Sequence, residues 1–193
     1  MKLGIIIGST REGRGSERAA KWVAVAAQKV DGFEVETLDL LDYELPFFDE
    51  AISPQYNPER KPAGVVKQWL DKLAEKDAII VVTPEYNRSL PAVLKNALDY
   101  VAYELERKPI AVVAHGSTGG AQAVHTLRAV TAGTLAISVP RAVYIPSMAG
   151  MAFDEDGNLN ADLAANPYGP NSALQATLSD LAWYAEALSA AKK

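Results

Sequence analysis

Residues 1–23 read MKLGIIIGSTREGRGSERAAKWV. Leu3 to Ile7 is a short apolar run that stops at Gly8, and hydroxyls, arginines and further glycines follow before a helical pattern starts at Ser16. Strand, polar loop and helix in that order form half of a βαβ unit, and the rest of the chain repeats the alternation. Ser16–Val30 places Ala19, Ala20, Val23, Ala27 and Val30 on one helical face. Phe33–Leu40 alternates apolar and polar, as a half-exposed strand near a sheet edge does. Tyr43–Pro62 reads as a long proline-bearing loop. Val66, Trp69, Leu70 and Leu73 recur at helical spacing. Ala78–Val82 is apolar throughout, which predicts a strand covered on both faces. Leu90, Val93, Leu94, Ala97, Leu98 and Val101 predict a helix over Pro91–Tyr103. Pro109–Ala114 reads as a fourth strand, Gly120–Leu135 as a helix, Ala142–Ile145 as a fifth strand and Ala173–Ala191 as a terminal helix. Alternation at this spacing predicts an α/β fold with a parallel sheet between two helical layers and right-handed crossovers. Five strands fit the order 2-1-3-4-5.

The bulk composition narrows the chemistry. The chain has 193 residues, 49% of them hydrophobic and 22% charged, with a net charge of -5. Residues 1–193 are read as one domain, without repeat or linker. The acidic balance argues against nucleic acid as a partner. The absence of cysteine removes thiolate nucleophiles and iron–sulfur ligation, and two histidines make a multi-His metal site an unsuited reading. The N-terminal apolar run is too short for a signal peptide, and no apolar run approaches the ~20 residues of a membrane span. The expectation is a cytoplasmic protein with neither membrane nor metal.

In a sheet of this order, ligands sit outside the carboxyl ends of the strands, so three loops carry the functional reading. The first, GSTREGRGS (8–16), imitates two phosphate motifs and satisfies neither. Gly8 and Gly13 have P-loop spacing, but Arg14-Gly15 stands where Lys-Ser/Thr belongs. Gly13-Arg14-Gly15 is followed by Arg18, which breaks the dinucleotide fingerprint. Asp39, at the end of the second strand, occupies the place of an acid that could hold a ribose. What remains is a hydroxyl-rich loop at a helix N-terminus, where free amides and the helix dipole favour an anion. Ser9, Thr10 and Ser16 supply hydroxyls; Arg11 and Arg14 supply charge.

The second loop is PEYNRSLP (84–91). Its two prolines stiffen it. Tyr86, Asn87 and Ser89 suit a planar heterocycle, with amides for ring carbonyls and nitrogens and an aromatic surface for the ring. The third, HGSTGGAQA (115–123), carries Gly116, Gly119 and Gly120, which allow backbone to approach a ligand closely.

GSTRxxR…S near the N-terminus and PEYNRSLPAVLKNALDY in mid-chain resemble the NADPH-dependent FMN reductase family, over roughly the first 150 residues. The resemblance implies a flavodoxin-like three-layer sandwich, which is the five-strand order already read. It implies an FMN-dependent, NAD(P)H-using oxidoreductase that passes hydride to a small acceptor such as a flavin, quinone, azo compound or metal oxyanion. The flavin carries the chemistry, no side chain is required as acid or base, and donor and acceptor alternate in ping-pong fashion. It implies that Ser9, Arg11 and Ser16 hold the FMN phosphate. Pro84, Glu85, Tyr86 and Asn87 then line the isoalloxazine, and Gly116, Ser117 and Gly120 approach its other side. Many members carry serine three residues after the loop arginine. Here Arg14 stands there and Ser16 lies two further on, so both are candidates for the phosphate contact. A flavodoxin-like electron carrier reduced by a partner protein, or a non-catalytic flavin-binding domain, are the alternatives.

Several tempting residues read as structural. His115 precedes the third loop as a strand cap, and His125 lies in a helix. Asp154, Glu155 and Asp156 with Gly157 read as a solvated turn rather than a metal cluster. Trp22, Trp69 and Trp183 read as core or interface. Lys95, Asn96, Asp99, Tyr100 and Tyr103 read as the interface of a homodimer or homotetramer.

Overall fold

A computed structural model describes residues 1–146 and 149–191. Five parallel strands lie in the order β2-β1-β3-β4-β5. They are β1 (Lys2–Ile7), β2 (Glu34–Asp39), β3 (Ala78–Pro84), β4 (Pro109–His115) and β5 (Ile137–Ile145). The helices are α1 (Gly15–Ala27), α2 (Gly64–Ala74), α3 (Ala92–Asp99), α4 (Ala121–Gly133), two short segments α5 (Ala149–Ala152) and α6 (Ala161–Ala165), and α7 (Pro170–Ala191). This is the flavodoxin-like arrangement expected from the alternation.

The continuous apolar strands are explained by their period of two. Ile5, Ile7, Ile80, Val82 and Val113 join α1 and α7 in one core, packed on Leu174, Leu178 and Leu181. Ile6, Ile79, Val81 and Val112 turn to the other face, against Trp69, Leu73, Leu94, Leu98 and Leu127 of α2, α3 and α4. Strands β3 and β4 are buried at every position, whereas β2, at the edge, is mostly half-exposed. The same register that fills the two cores brings the ends of β1, β3 and β4 side by side.

Several element boundaries differ from the sequence expectation by a few residues, helix α1 ending at Ala27 rather than Val30 among them, and three of the differences have a clear physical reason. The third helix stops at Asp99, because Ala102 N–H donates to the Glu104 carboxylate at 2.7 Å, and local bonds of this kind compete with the helix ladder. Val101, the last residue of that spacing, is still buried, so the apolar spacing was real while the helix was not continuous. Strand β5 begins at Ile137, five residues ahead of Ala142, since Pro140 and Arg141 mask its pattern. An edge strand tolerates proline, and the β4–β5 pairing shifts register between Ile110 and Val112. The terminal helix begins at Pro170, a residue well suited to a first turn.

The long loop is strapped to α3. Asn96 Nδ2 donates to Pro46 O at 2.8 Å, its Oδ1 accepts from Phe48 N at 2.9 Å, and the Tyr100 hydroxyl donates to Pro46 O at 3.0 Å. Asn96 and Tyr100 are therefore buried within the chain rather than offered as interface, while Lys95 and Asp99 form an exposed ion pair. Tyr103 remains exposed, as does Trp183; Trp69 is fully buried and Trp22 partly so. Asp154 closes the DEDGN turn through Asn158 and Gly157.

Candidate active site

The first loop leaves β1 through Gly8, whose amide donates to Val82 O at 2.8 Å. A Cβ there would lie 2.9 Å from Leu94 Cδ2 and 3.1 Å from Val82 O, so a side chain at this position would crowd the close approach of β1 to β3. Ser9 is buried and shares a 3.0 Å hydrogen bond with the Tyr86 hydroxyl. Thr10 is half-exposed, and Arg11, Glu12 and Gly13 face solvent. Helix α1 has Arg14 at its N-cap, a residue that offers no acceptor, and no side-chain hydrogen bond caps its first turn. Such an end favours an anion through its amides and dipole.

Arg14 does not face that end freely. Its Nη1 donates to Ser9 O at 2.6 Å and to Asp39 Oδ1 at 2.7 Å, while Nη2 pairs with Asp39 Oδ2. Ser16 is also engaged: it is buried, and its Oγ lies 2.9 Å from His115 Nε2. Burial pushes the His115 imidazole down to about 4, so it is neutral at physiological pH. Beside this loop opens a surface cleft of about 550 Å³ lined by Arg11, Arg14, Arg18 and Lys21 with acidic neighbours. Lys21 pairs with Glu17 and Arg18 reaches Glu155, whereas the Arg11 side chain makes no ion pair among the described residues.

The second loop is a tight turn. Tyr86 and Ser89 exchange backbone hydrogen bonds of 3.0 and 2.9 Å, and Asn87 and Arg88 both take positive φ, 49° and 65°. Two successive left-handed residues define the primed turn that matches strand twist. Asn87 is exposed at its tip. Tyr86 sends its hydroxyl to Ser9, so its ring joins the second loop to the first. Glu85 joins the second loop to the third: its carboxylate accepts from Thr118 Oγ1 at 3.2 Å and from Gln122 N at 2.9 Å. It thereby caps α4, whose own N-cap, Gly120, has no side chain.

The third loop turns through Gly119 and Gly120, at φ 77° and 78°. A Cβ on Gly120 would stand 2.6 Å from Ala114 Cβ and 2.8 Å from His115 N, which excludes every other residue. Ser117 is exposed.

The expected residues therefore gather at the carboxyl edge of β1, β3 and β4. Ser9, Ser16, Glu85, Tyr86, Gly116 and Gly120 are held by direct bonds or close packing; Thr10, Arg11, Asn87 and Ser117 offer accessible donors. Arg14 is turned to Asp39. Residue-level reading missed Asp39 as its partner, although register pairs Ile7 with Asp39 and so sets that carboxylate beside the loop. It also missed that His115 meets Ser16. His125 is exposed and remote from these bonds.

The sequence model for NADPH-dependent FMN reductase matches residues 1–150. The chain belongs to the NADPH-dependent FMN reductase family. It is 34% identical to an NAD(P)H-dependent FMN reductase of Schizosaccharomyces pombe, over 80% of this chain and 74% of that one. It is 32% identical to an NADPH azoreductase of a Bacillus species, over 84% of each. A flavoenzyme NAD(P)H:(acceptor) oxidoreductase from Paracoccus denitrificans has the same fold, with a TM-score of 0.72 at 23% identity, covering 96% of this chain and 97% of that one.

Proposed function

We propose that the chain is an FMN-dependent NAD(P)H oxidoreductase whose flavin lies across these three loops. The observation that carries this reading is the cross-bonded cradle. An uncapped 13-residue helix meets a hydroxyl-rich loop; the Ser9–Tyr86 bond ties that loop to the one after β3, and the Glu85–Gln122 bond ties the loop after β3 to the start of α4. Ser9, Thr10, Arg11 and the first-turn amides of α1 through Ser16 would hold the phosphate. Pro84, Glu85, Tyr86, Asn87 and Ser89 would border the ring on one side, and Gly116, Ser117, Gly119 and Gly120 on the other. When bound, the flavin supplies the hydride chemistry that no side chain here performs. The protein's part is to fix the ring's position, exclude water from one face and leave the other open for donor and acceptor in turn.

The family relationship, and relatives named for azo compounds and quinones, support a small-molecule acceptor. The reading takes residues 1–193 as a single flavin-binding domain working in the cytoplasm as a homodimer or homotetramer. Exposed Phe47, Ile52, Tyr56 and Tyr103 on the strapped loop and past α3 support the assembly, and no described helix is long and apolar enough to cross a membrane. Purified protein titrated with FMN, then with NADPH under anaerobic conditions, tests the proposal by its visible spectrum. Bleaching of the flavin bands is expected. Reduction that is negligible with NAD(P)H but rapid with a partner protein would instead make the chain an electron carrier.

A further inference from the structure

We propose that Arg14 and Asp39 form a brace that shapes the phosphate loop from behind, that Asp39 is a positioning residue for FMN binding, and that Arg14 is not itself a phosphate ligand. The inference rests on the phosphate assignment above.

Arg14 carries its charge at an anion-favouring helix end, yet its side chain is only 7% exposed. Both terminal nitrogens are committed to the Asp39 carboxylate in a fork, and Nη1 also holds Ser9 O. The planar guanidinium matches a carboxylate in this way and cannot shed its proton. Asp39 is fixed in turn, since its Oδ1 accepts from Leu41 N at 2.9 Å and the strand register seats it beside Ile7. Moving Arg14 to a phosphate would strip a carboxylate that is itself 20% exposed of its partner. Arg11, exposed and without an ion pair among the described residues, carries no such penalty.

The brace has a direct consequence for the ligand. By holding the Ser9 carbonyl, Arg14 fixes the backbone of the residue whose hydroxyl meets Tyr86. Asp39 touches no ligand in this arrangement, but it sets where the Ser9 hydroxyl and the following amides stand. Its loss loosens the phosphate end of the cradle, while the ring end keeps the Tyr86–Ser89 backbone pair and the Glu85 bonds to Thr118 and Gln122, which hold it without Ser9.

The test measures FMN and riboflavin affinities of Asp39→Asn, Asp39→Glu, Arg14→Lys and the Asn/Lys double variant by fluorescence quenching. Asp39→Asn is expected to weaken FMN about tenfold, the scale of one hydrogen bond to a charged group, with riboflavin changed less than about twofold. Arg14→Lys, which loses the fork, should match it, and the double variant should be no weaker than the worse single one, because the pair acts as a unit. Asp39→Glu keeps the charge and should retain most of the FMN preference; Arg14→Lys carries the test if Asp39→Asn fails to fold. FMN binding that tightens in Asp39→Asn would make Arg14 a restrained ligand and overturn the proposal, as would unchanged FMN binding or equal losses for both flavins. Wild-type protein that binds riboflavin as tightly as FMN would instead refute the phosphate assignment.

Discussion

Replacing His115 by Gln should flatten the acid limb of the stability curve. His115 is 6% exposed, and burial pushes its imidazole down to about 4 from an ordinary 6.5. The unfolded chain exposes the ring and takes up a proton near the ordinary value. Between pH 6.5 and 4 the unfolded state thus binds a proton that the native state refuses. Stability must fall as pH falls through this window, with a slope approaching about 1.4 kcal/mol per pH unit, while above pH 7 the effect is absent. Integrated from pH 7.5 to pH 5, the penalty comes to about 2 kcal/mol. Glutamine has no such equilibrium, and its amide can still donate to Ser16 Oγ. Urea unfolding at half-unit steps from pH 4.5 to 8 measures both proteins. Glu36, lowered chiefly by hydrogen bonds from Lys72 and Lys76, and Asp154, lowered by those from Asn158, act equally in both and cancel in the difference. Wild type should lose about 2 kcal/mol more than the variant between pH 7.5 and 5. Parallel curves would show that the native ring titrates freely, and the buried Ser16–His115 bond would have to be abandoned.

Other outcomes follow from the same geometry. Arg11→Ala should weaken FMN by ~1.5–3 kcal/mol, the range of a charged hydrogen bond, and leave riboflavin nearly unchanged in the same titration. Gly120→Ala should cost at least about 1–3 kcal/mol from left-handed backbone alone, plus the clash with Ala114 and His115, read as a fall in the urea midpoint. Initial rates at several acceptor concentrations should give parallel reciprocal lines, with high acceptor competing against NAD(P)H; intersecting lines would show that donor and acceptor occupy the site together.

The sheet was legible because burial on both faces writes itself into composition. Ala78–Val82 is short, apolar throughout and rich in β-branched residues, which favours an interior strand over a helix, and its alternate side chains feed two different helical layers. Strand β5 was half hidden because an edge strand needs apolar residues on one face only and accepts Pro140. The end of α3 was hidden for another reason. Helical spacing reports which residues are buried, and Val101 is buried, but it does not report that Glu104 captures the Ala102 amide.

The site shows the same division between residue type and partner. Hydroxyls, arginines and glycines at three strand ends were visible as types, which sufficed to point at a phosphate and a flat ring. Their partners were not visible, because each decisive bond spans the sheet: Arg14 to Asp39 over 25 residues, Ser9 to Tyr86 over 77, Ser16 to His115 over 99. A local motif leaves the role of Arg14 open between ligand and support. The support role we propose rests on strand order, since β2 lies beside β1 and brings a carboxylate to the back of the loop. The same order puts β3 and β4 on the other side, where Tyr86 and His115 take the two serines. Buried polar groups require partners, and here one neighbouring strand end supplies each of them. The parallel sheet does more than present the loop. It decides which of the loop's polar side chains are committed to holding its shape, and in the proposed reading leaves the second bond of the Ser9 hydroxyl, Thr10, Arg11 and the amides of α1 to meet an anion.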